Sequence, residues 1–369
     1  MKVILSTIVF IFLNSFAFSQ SDPVKSSIYL IGNTGVDTIP SEAMQLLAFE
    51  CFDDTSATVV MLGDNVFKDG LNPHHSAQNS YKAALKLISQ LELFIGFRGH
   101  FYLIAGDRDW SHGKSSGLRA VQNESQLVDA WFNKNSIVSN RNEGVFMPQA
   151  GLPGPLVVKD AGVADLIFLD TQWFLHRGFF KPERKLNGRS KKAQREYSFS
   201  QLDSLLSDSL RRGKPKVILA HHPIFSNGKH VHTNEPLRSL IEYTPLQIFG
   251  LLGLNRYFRQ DLVHPSYRRF RKRIERILKD HPKVVYCSAH EHAMEGFERD
   301  SVYYLVSGSG AYTEEIDRYR FTAFFMDDLQ SGFFKLTFHE SGKVYLRAFG
   351  VSDRGEYWKK QLFNYKELD

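Results

Sequence analysis

Short runs of Ile, Val, Leu, Phe and Tyr, each stopping at glycine or a polar cluster, recur along the chain at 28–31, 59–62, 101–104, 166–169, 217–220, 284–287 and 302–306. Unbroken apolar runs of this length suit strands covered on both faces, where alternating side chains all meet protein. Between several of them lie stretches with helical spacing: 41–52 after Pro40, 77–94, 200–211 and 267–279. Strands alternating with helices predict a layered α/β fold. Near the C-terminus the rhythm changes. Residues 333–338 and 343–349 flank Glu340-Ser341-Gly342, which predicts a β-hairpin with glycine in its turn. Gly151-Leu-Pro-Gly-Pro155 reads as a loop, and no repeat or low-complexity tract divides the chain. The expected organisation is a signal segment (1–19), one domain (26–350) and a C-terminal tail (351–369).

Composition narrows this only a little. With 369 residues, 43% hydrophobic and 23% charged, the chain has material for a large core and is too apolar for a disordered protein. Lys2, the apolar stretch 3–18 and the small residues Ala17 and Ser19 before Gln20 read as a cleaved secretory signal. An uncleaved anchor is the alternative, but the apolar stretch is short for a span and polar residues follow at once. No later segment approaches the roughly 18 apolar residues of a transmembrane helix, so an exported protein is expected. Cys51 and Cys287 make no disulfide framework, and Cys287 in an apolar run reads as a buried thiol. Much of the basic excess behind the net charge of +6 lies at 181–195 and 268–283. These runs read as a solvated loop and helix face, or as attraction for anionic substrates or a cell envelope. Nothing specifies a nucleic acid or an oligomeric state.

The candidate chemistry lies just beyond the apolar runs. The first is followed by Gly32-Asn33-Thr34-Gly35, the second by Gly63-Asp64-Asn65, and the third by Gly106-Asp107-Arg108-Asp109. The fifth leads into His221-His222-Pro223, and the sixth into Ala289-His290-Glu291-His292. In open α/β sheets, ligand sites form beyond the carboxyl ends of the strands. Five strand ends would thus gather Asn33, Asp64, Asp107, His221, His290 and His292. One Gly-Asp after a strand is an ordinary turn, and one His-Glu-His is an extended segment with both rings on one face. Their coincidence, oxygen donors from early strands and nitrogen donors from later ones, suits divalent ions held by carboxylate and imidazole.

This order of motifs resembles the calcineurin-like metallophosphoesterases, and more closely their purple acid phosphatase branch. The resemblance rests on Leu62-Gly-Asp-Asn-Val-Phe-Lys-Asp-Gly70, Ala220-His-His-Pro-Ile-Phe-Ser226, Ser288-Ala-His-Glu-His292 and Val306-Ser-Gly-Ser-Gly310, and spans about residues 28–311. Leu169-Asp-Thr-Gln-Trp173 and Ser226-Asn-Gly-Lys-His230 resemble exported bacterial members. The resemblance implies a four-layer α/β/β/α sandwich and phosphoester hydrolysis at two divalent ions, which lower the pKa of bound water. It implies that Asp64 bridges the ions, that Asn33 and His292 serve the first, and that Asp107, His221 and His290 serve the second.

Five positions depart from that pattern; one, Ala289 for glycine, adds only a methyl group, and four bear on the site. Asn33 replaces an aspartate, Phe67 the tyrosine ligand of the purple branch, Asp107 an asparagine, and Arg108 a histidine that protonates the leaving group or orients the phosphate. Phe67 has no donor atom, so Zn, Mn or ferrous iron is expected rather than a ferric tyrosinate centre. Arg108 stays charged and is expected to clamp phosphate rather than transfer a proton. His230 is a further candidate for reaching the phosphate. His222 and Asp170 are expected to support ligands, and Trp110 and Trp173 to pack in the core or wall the site. Two functions remain open: a working phosphoesterase acting on a phosphorylated small molecule or envelope component, or a protein that binds metal or a phosphorylated ligand without turnover.

Overall fold

The structure, a computed structural model, describes residues 22–135, 138–140, 144–148, 156–175, 190–208, 213–228 and 264–367. The signal segment, the 151–155 loop, most of the 181–195 basic run and His230 lie outside the described residues.

The apolar runs become strands: β1 (Val24–Ile31), β2 (Ala57–Met61), β3 (His100–Leu103), β4 (Leu156–Asp160), β5 (Asp165–Leu169), β6 (Lys216–Ala220), β7 (Val284–Ser288), β8 (Met294–Arg299), β9 (Val302–Ser307), β10 (Phe325–Asp327), β11 (Gly332–His339), β12 (Lys343–Gly350) and β13 (Gly355–Asn364). They form two mixed sheets, ordered β13-β12-β11-β1-β2-β3 and β10-β8-β9-β7-β6-β5-β4. The predicted hairpin is β11–β12. Among the described residues the helices are α1 (Glu42–Cys51), α2 (Ala77–Glu92), α3 (Gly117–Asn135), α4 (Thr171–Leu175), α5 (Lys191–Ser207) and α6 (Pro265–Leu278). Ser41 and Ser76 cap the first two by accepting N–H groups of Met44 and Asn79.

The strand period of two explains the layering. Ile28 and Leu30 of β1 join Val217 and Leu219 of β6 in a buried group made without any residue of the six helices. Their neighbours Tyr29, Ile31, Ile218 and Ala220 belong to a second group with Met44, Leu47, Leu87, Phe132 and Ile274 from the helices. Each central strand therefore faces the other sheet on one side and helices on the other. The result is an α/β/β/α sandwich.

Several elements differ from expectation: β4, β8, β10 and α4 correspond to no expected run, and α5 begins at Lys191, inside the basic stretch expected as a loop. The segment 351–369, expected as a tail, contains β13, which pairs antiparallel with β12 and extends the sheet beyond residue 350. Helix α3 has no counterpart in the apolar pattern, because Glu124 and Ser125 sit on its buried stripe among Ala120, Val121, Val128 and Phe132. Cys51 and Cys287 are both buried, and burial pushes the Cys51 thiol up to about 12.

Candidate metal centre

Strands β1, β2 and β3 run parallel in one sheet, and β5, β6 and β7 in the other. The carboxyl ends of both sets meet. His221, just past β6, bonds through Nδ1 to the carbonyl of Leu62 past β2 at 2.8 Å. Asn33, past β1, donates through Nδ2 to the carbonyl of Gly308 past β9 at 2.9 Å. The close approach requires glycine: Gly63 has φ +93°, and a Cβ there would stand 2.7 Å from His221 Nδ1. Asn33, Asp64 and His290 also hold positive φ, the kind of backbone strain that gathers at functional sites.

Asp109 locks two of these loops together. Its carboxylate accepts the backbone N–H groups of Asp64 (2.9 Å), Gly106 (2.7 Å) and Val66 (3.0 Å), so the second and third strand ends share one anchor. Asn65 ties the same region to α3 by donating to Glu124 at 3.0 Å. Burial first, then the charge of Asp109, holds the Glu124 carboxyl well above the usual range.

At the centre, Asp107 Oδ1 lies 3.3 Å from His221 Nε2 and 3.1 Å from His290 Nδ1, and the two nitrogens are 3.3 Å apart. Asp64 Oδ1 is 3.4 Å from the same His221 nitrogen. Because Leu62 offers only an acceptor, His221 Nδ1 carries a proton, which leaves Nε2 as the inward atom available to a cation once its own proton is displaced. Two groups of potential ligand atoms result, each with its atoms within 4.8 Å of one another: Asp64, Asp107 and His221, and Asp107, His222 and His290. His222, expected only as support, thus joins a group. Its Nδ1 is fixed by Thr171 Oγ1 at 2.7 Å.

The electrostatics call for positive charge. Burial and then the neighbouring Asp107 push the Asp64 carboxyl up to about 7. Burial works against ionisation of Asp107 too, but bonds to His112, His221 and His290 outweigh it and hold the carboxyl well below its usual value. Burial disfavours the His221 imidazolium, yet Asp64 and Asp107 raise it to about 9. Asn33 Oδ1 adds a buried acceptor with no hydrogen-bond partner. Buried carboxylates, inward imidazoles and an unmatched amide oxygen fit divalent cations.

Arg108 reaches in from the rim. Its backbone N–H donates to Asp64 Oδ1 at 2.9 Å. Its Nε is 3.6 Å from Asp64 Oδ2 and 3.9 Å from Asp107 Oδ2, and its guanidinium lies over the Phe67 ring at 4.9 Å. His292 belongs to neither ligand group. Its Nε2 meets the Tyr312 hydroxyl at 3.1 Å, and its ring stacks on Tyr312 at 4.1 Å and lies 6.0 Å from Phe67. Asp170 accepts from Trp110 Nε1 and the Trp173 backbone, and both tryptophans are buried.

Two residues at the site carried no signal in the sequence. His112 sits 3.2 Å from Asp107 Oδ2 and 3.5 Å from Asp69 Oδ1, brought there by a positive-φ turn four residues after Arg108. Tyr312 comes from a loop twenty residues after its partner His292. Neither lies in a strand-end motif.

No protein family and no curated protein matches the sequence. Solved structures match the fold. The Plasmodium inner-membrane-complex anchor GAP50 aligns with TM-score 0.56 at 15% identity, over 92% of this chain and 89% of that one. PhoD aligns at 0.54 and 13% identity, over 95% and 72%. The purple acid phosphatase PPD1 of yellow lupin aligns at 0.53 and 14% identity, over 92% of this chain but only 54% of its own. The chain therefore shares its fold with these structures, and it carries two aspartate–histidine groups at its strand ends.

Proposed function

We propose that this chain is an exported, metal-dependent phosphoesterase, most similar to the purple acid phosphatase branch, acting on a phosphorylated small molecule or envelope component. The observation that carries the reading is the convergence of Asp64, Asp107, His221 and His290 through atoms 3.1–3.4 Å apart. Those residues would hold the metal, with His222 beside them and Asn33 and His292 towards the rim. A divalent ion there supplies Lewis acidity towards a phosphoryl oxygen and makes water nucleophilic near neutral pH.

The chain's own groups do the rest. Leu62 fixes the tautomer of His221, and Asp109 fixes the loop that presents Asp64. Arg108 Nε is buried without a hydrogen-bond partner, so its N–H is available to a phosphoryl oxygen, and its planar fork matches phosphate geometry. His112 lies against both Asp107 and Asp69 and orients the Asp107 carboxylate. Zn, Mn or ferrous iron suits the nitrogen and oxygen donors. Among the described residues no helix is long and apolar enough to cross a membrane. Export rests on the 1–19 segment, and N-terminal sequencing of the mature protein checks it.

A second reading, binding of metal or a phosphorylated ligand without turnover, is favoured by one observation: an arginine stands against Asp64 and Asp107. Generic phosphate mono- and diesters separate the two. The first reading expects hydrolysis that requires added metal and disappears in Asp64→Asn. A metal-loaded wild type that releases no product from either ester class leaves the second.

A further inference from the structure

We propose that this centre takes a single divalent ion, and that the Arg108 guanidinium stands in for the other. The inference rests on the metal centre proposed above and specifies its composition.

Both groups of ligand atoms contain Asp107, so two ions here would share that carboxylate and sit close together. Against these same carboxylates stands Arg108, its Nε 3.6 Å from Asp64 Oδ2 and 3.9 Å from Asp107 Oδ2, with the guanidinium held over the Phe67 face at 4.9 Å. A ring without an oxygen cannot ligate a metal, but its π face is a suitable seat for a cation. His292 stacks on Tyr312, lies tilted 6.0 Å from Phe67, and has its Nε2 engaged with the Tyr312 hydroxyl. Phe67 and Arg108 therefore act as a pair, one replacing a donor and the other providing the charge that the donor would have helped to bind.

Some donors for a second ion are still present, including the unpartnered Asn33 Oδ1. What excludes that ion is charge. The guanidinium already stands against Asp64 and Asp107, and like charges a few ångströms apart in a poorly solvated site repel strongly. A phosphate ester would then be gripped between one ion and one arginine.

The test is metal stoichiometry by equilibrium dialysis against Mn²⁺ or Zn²⁺, on the full mature chain and on Arg108→Gln. The variant removes the charge and keeps most of the stem, and Arg108 is a quarter exposed (26%), so folding should survive. The wild type should saturate at one ion per chain and the variant at two. Two ions of similar affinity in the wild type overturn the proposal, whatever the variant does, as does a variant that stays at one. Binding of no ion by the wild type overturns it together with the proposed centre. One ion in the wild type and two in Arg108→Gln, with no ester hydrolysed, supports this inference while removing the hydrolytic reading.

Discussion

His221 and His290 face each other through Nε2 and Nδ1 at 3.3 Å, with Asp107 Oδ1 within 3.3 Å of both. Two imidazole nitrogens at that separation repel through their lone pairs unless a proton or a metal lies between them, and the carboxylate favours either cation. His221→Ala and His290→Ala should each weaken metal binding. Losing an outer partner of a ligand already reduces affinity about 10–100-fold, so losing an imidazole should do at least as much. Calorimetry reads the effect. His222→Ala should show a smaller loss, because its Nδ1 is already bonded to Thr171 Oγ1 at 2.7 Å.

Asn33→Asp restores the residue type that the resemblance expects, yet the structure predicts a penalty. Asn33 Nδ2 donates to the carbonyl of Gly308 at 2.9 Å and lies 3.4 Å from that of Glu291. A carboxylate there would set an acceptor against acceptors in a buried place. The metal-free variant should lose about 1–3 kcal/mol by chemical denaturation, and saturating metal should recover part of it. Unchanged stability without metal would mean that these bonds contribute nothing.

Glu295 should give stability a pH dependence. It accepts from Ser226 Oγ and from the backbone of Asn227 at 2.8 Å, bracing the loop after His221. Burial raises its carboxyl to about 8 from 4.5. The folded chain thus holds a proton that the unfolded chain has released, and this contribution is complete below pH 4.5 and lost as pH rises through 8. Glu295→Gln should flatten the fall across that window, measured as the denaturation midpoint at a series of pH values. An identical slope in the variant would assign the dependence to other groups.

The layered fold and the strand ends were legible because buried parallel strands write themselves as unbroken apolar runs, and because each run stops where a polar turn begins. Helix α3 was not, since Glu124 breaks its stripe in order to meet Asn65 beneath the site. Strand β13 alternates buried and exposed positions weakly, as an edge strand does, and its pattern resembles a polar tail. At the site, the strand-end residues Asp64, Asp107, His221 and His290, which the structure brings together, could be read directly. His112 and Tyr312 could not, because their places depend on how a turn and a loop fold back over Asp107 and His292. The meaning of the Arg108 and Phe67 exchange needed the structure too, since only contact between the two shows that they form one unit.

The central claim, that these strand ends form a metal centre, is tested most directly by anomalous diffraction at the metal edge on crystals of the Mn- or Zn-loaded protein. The account predicts a peak at about 2.0–2.2 Å from His221 Nε2, His290 Nδ1 and an Asp107 oxygen. Loaded crystals with no peak among Asp64, Asp107, His221 and His290, or with metal bound only elsewhere on the chain, would contradict it.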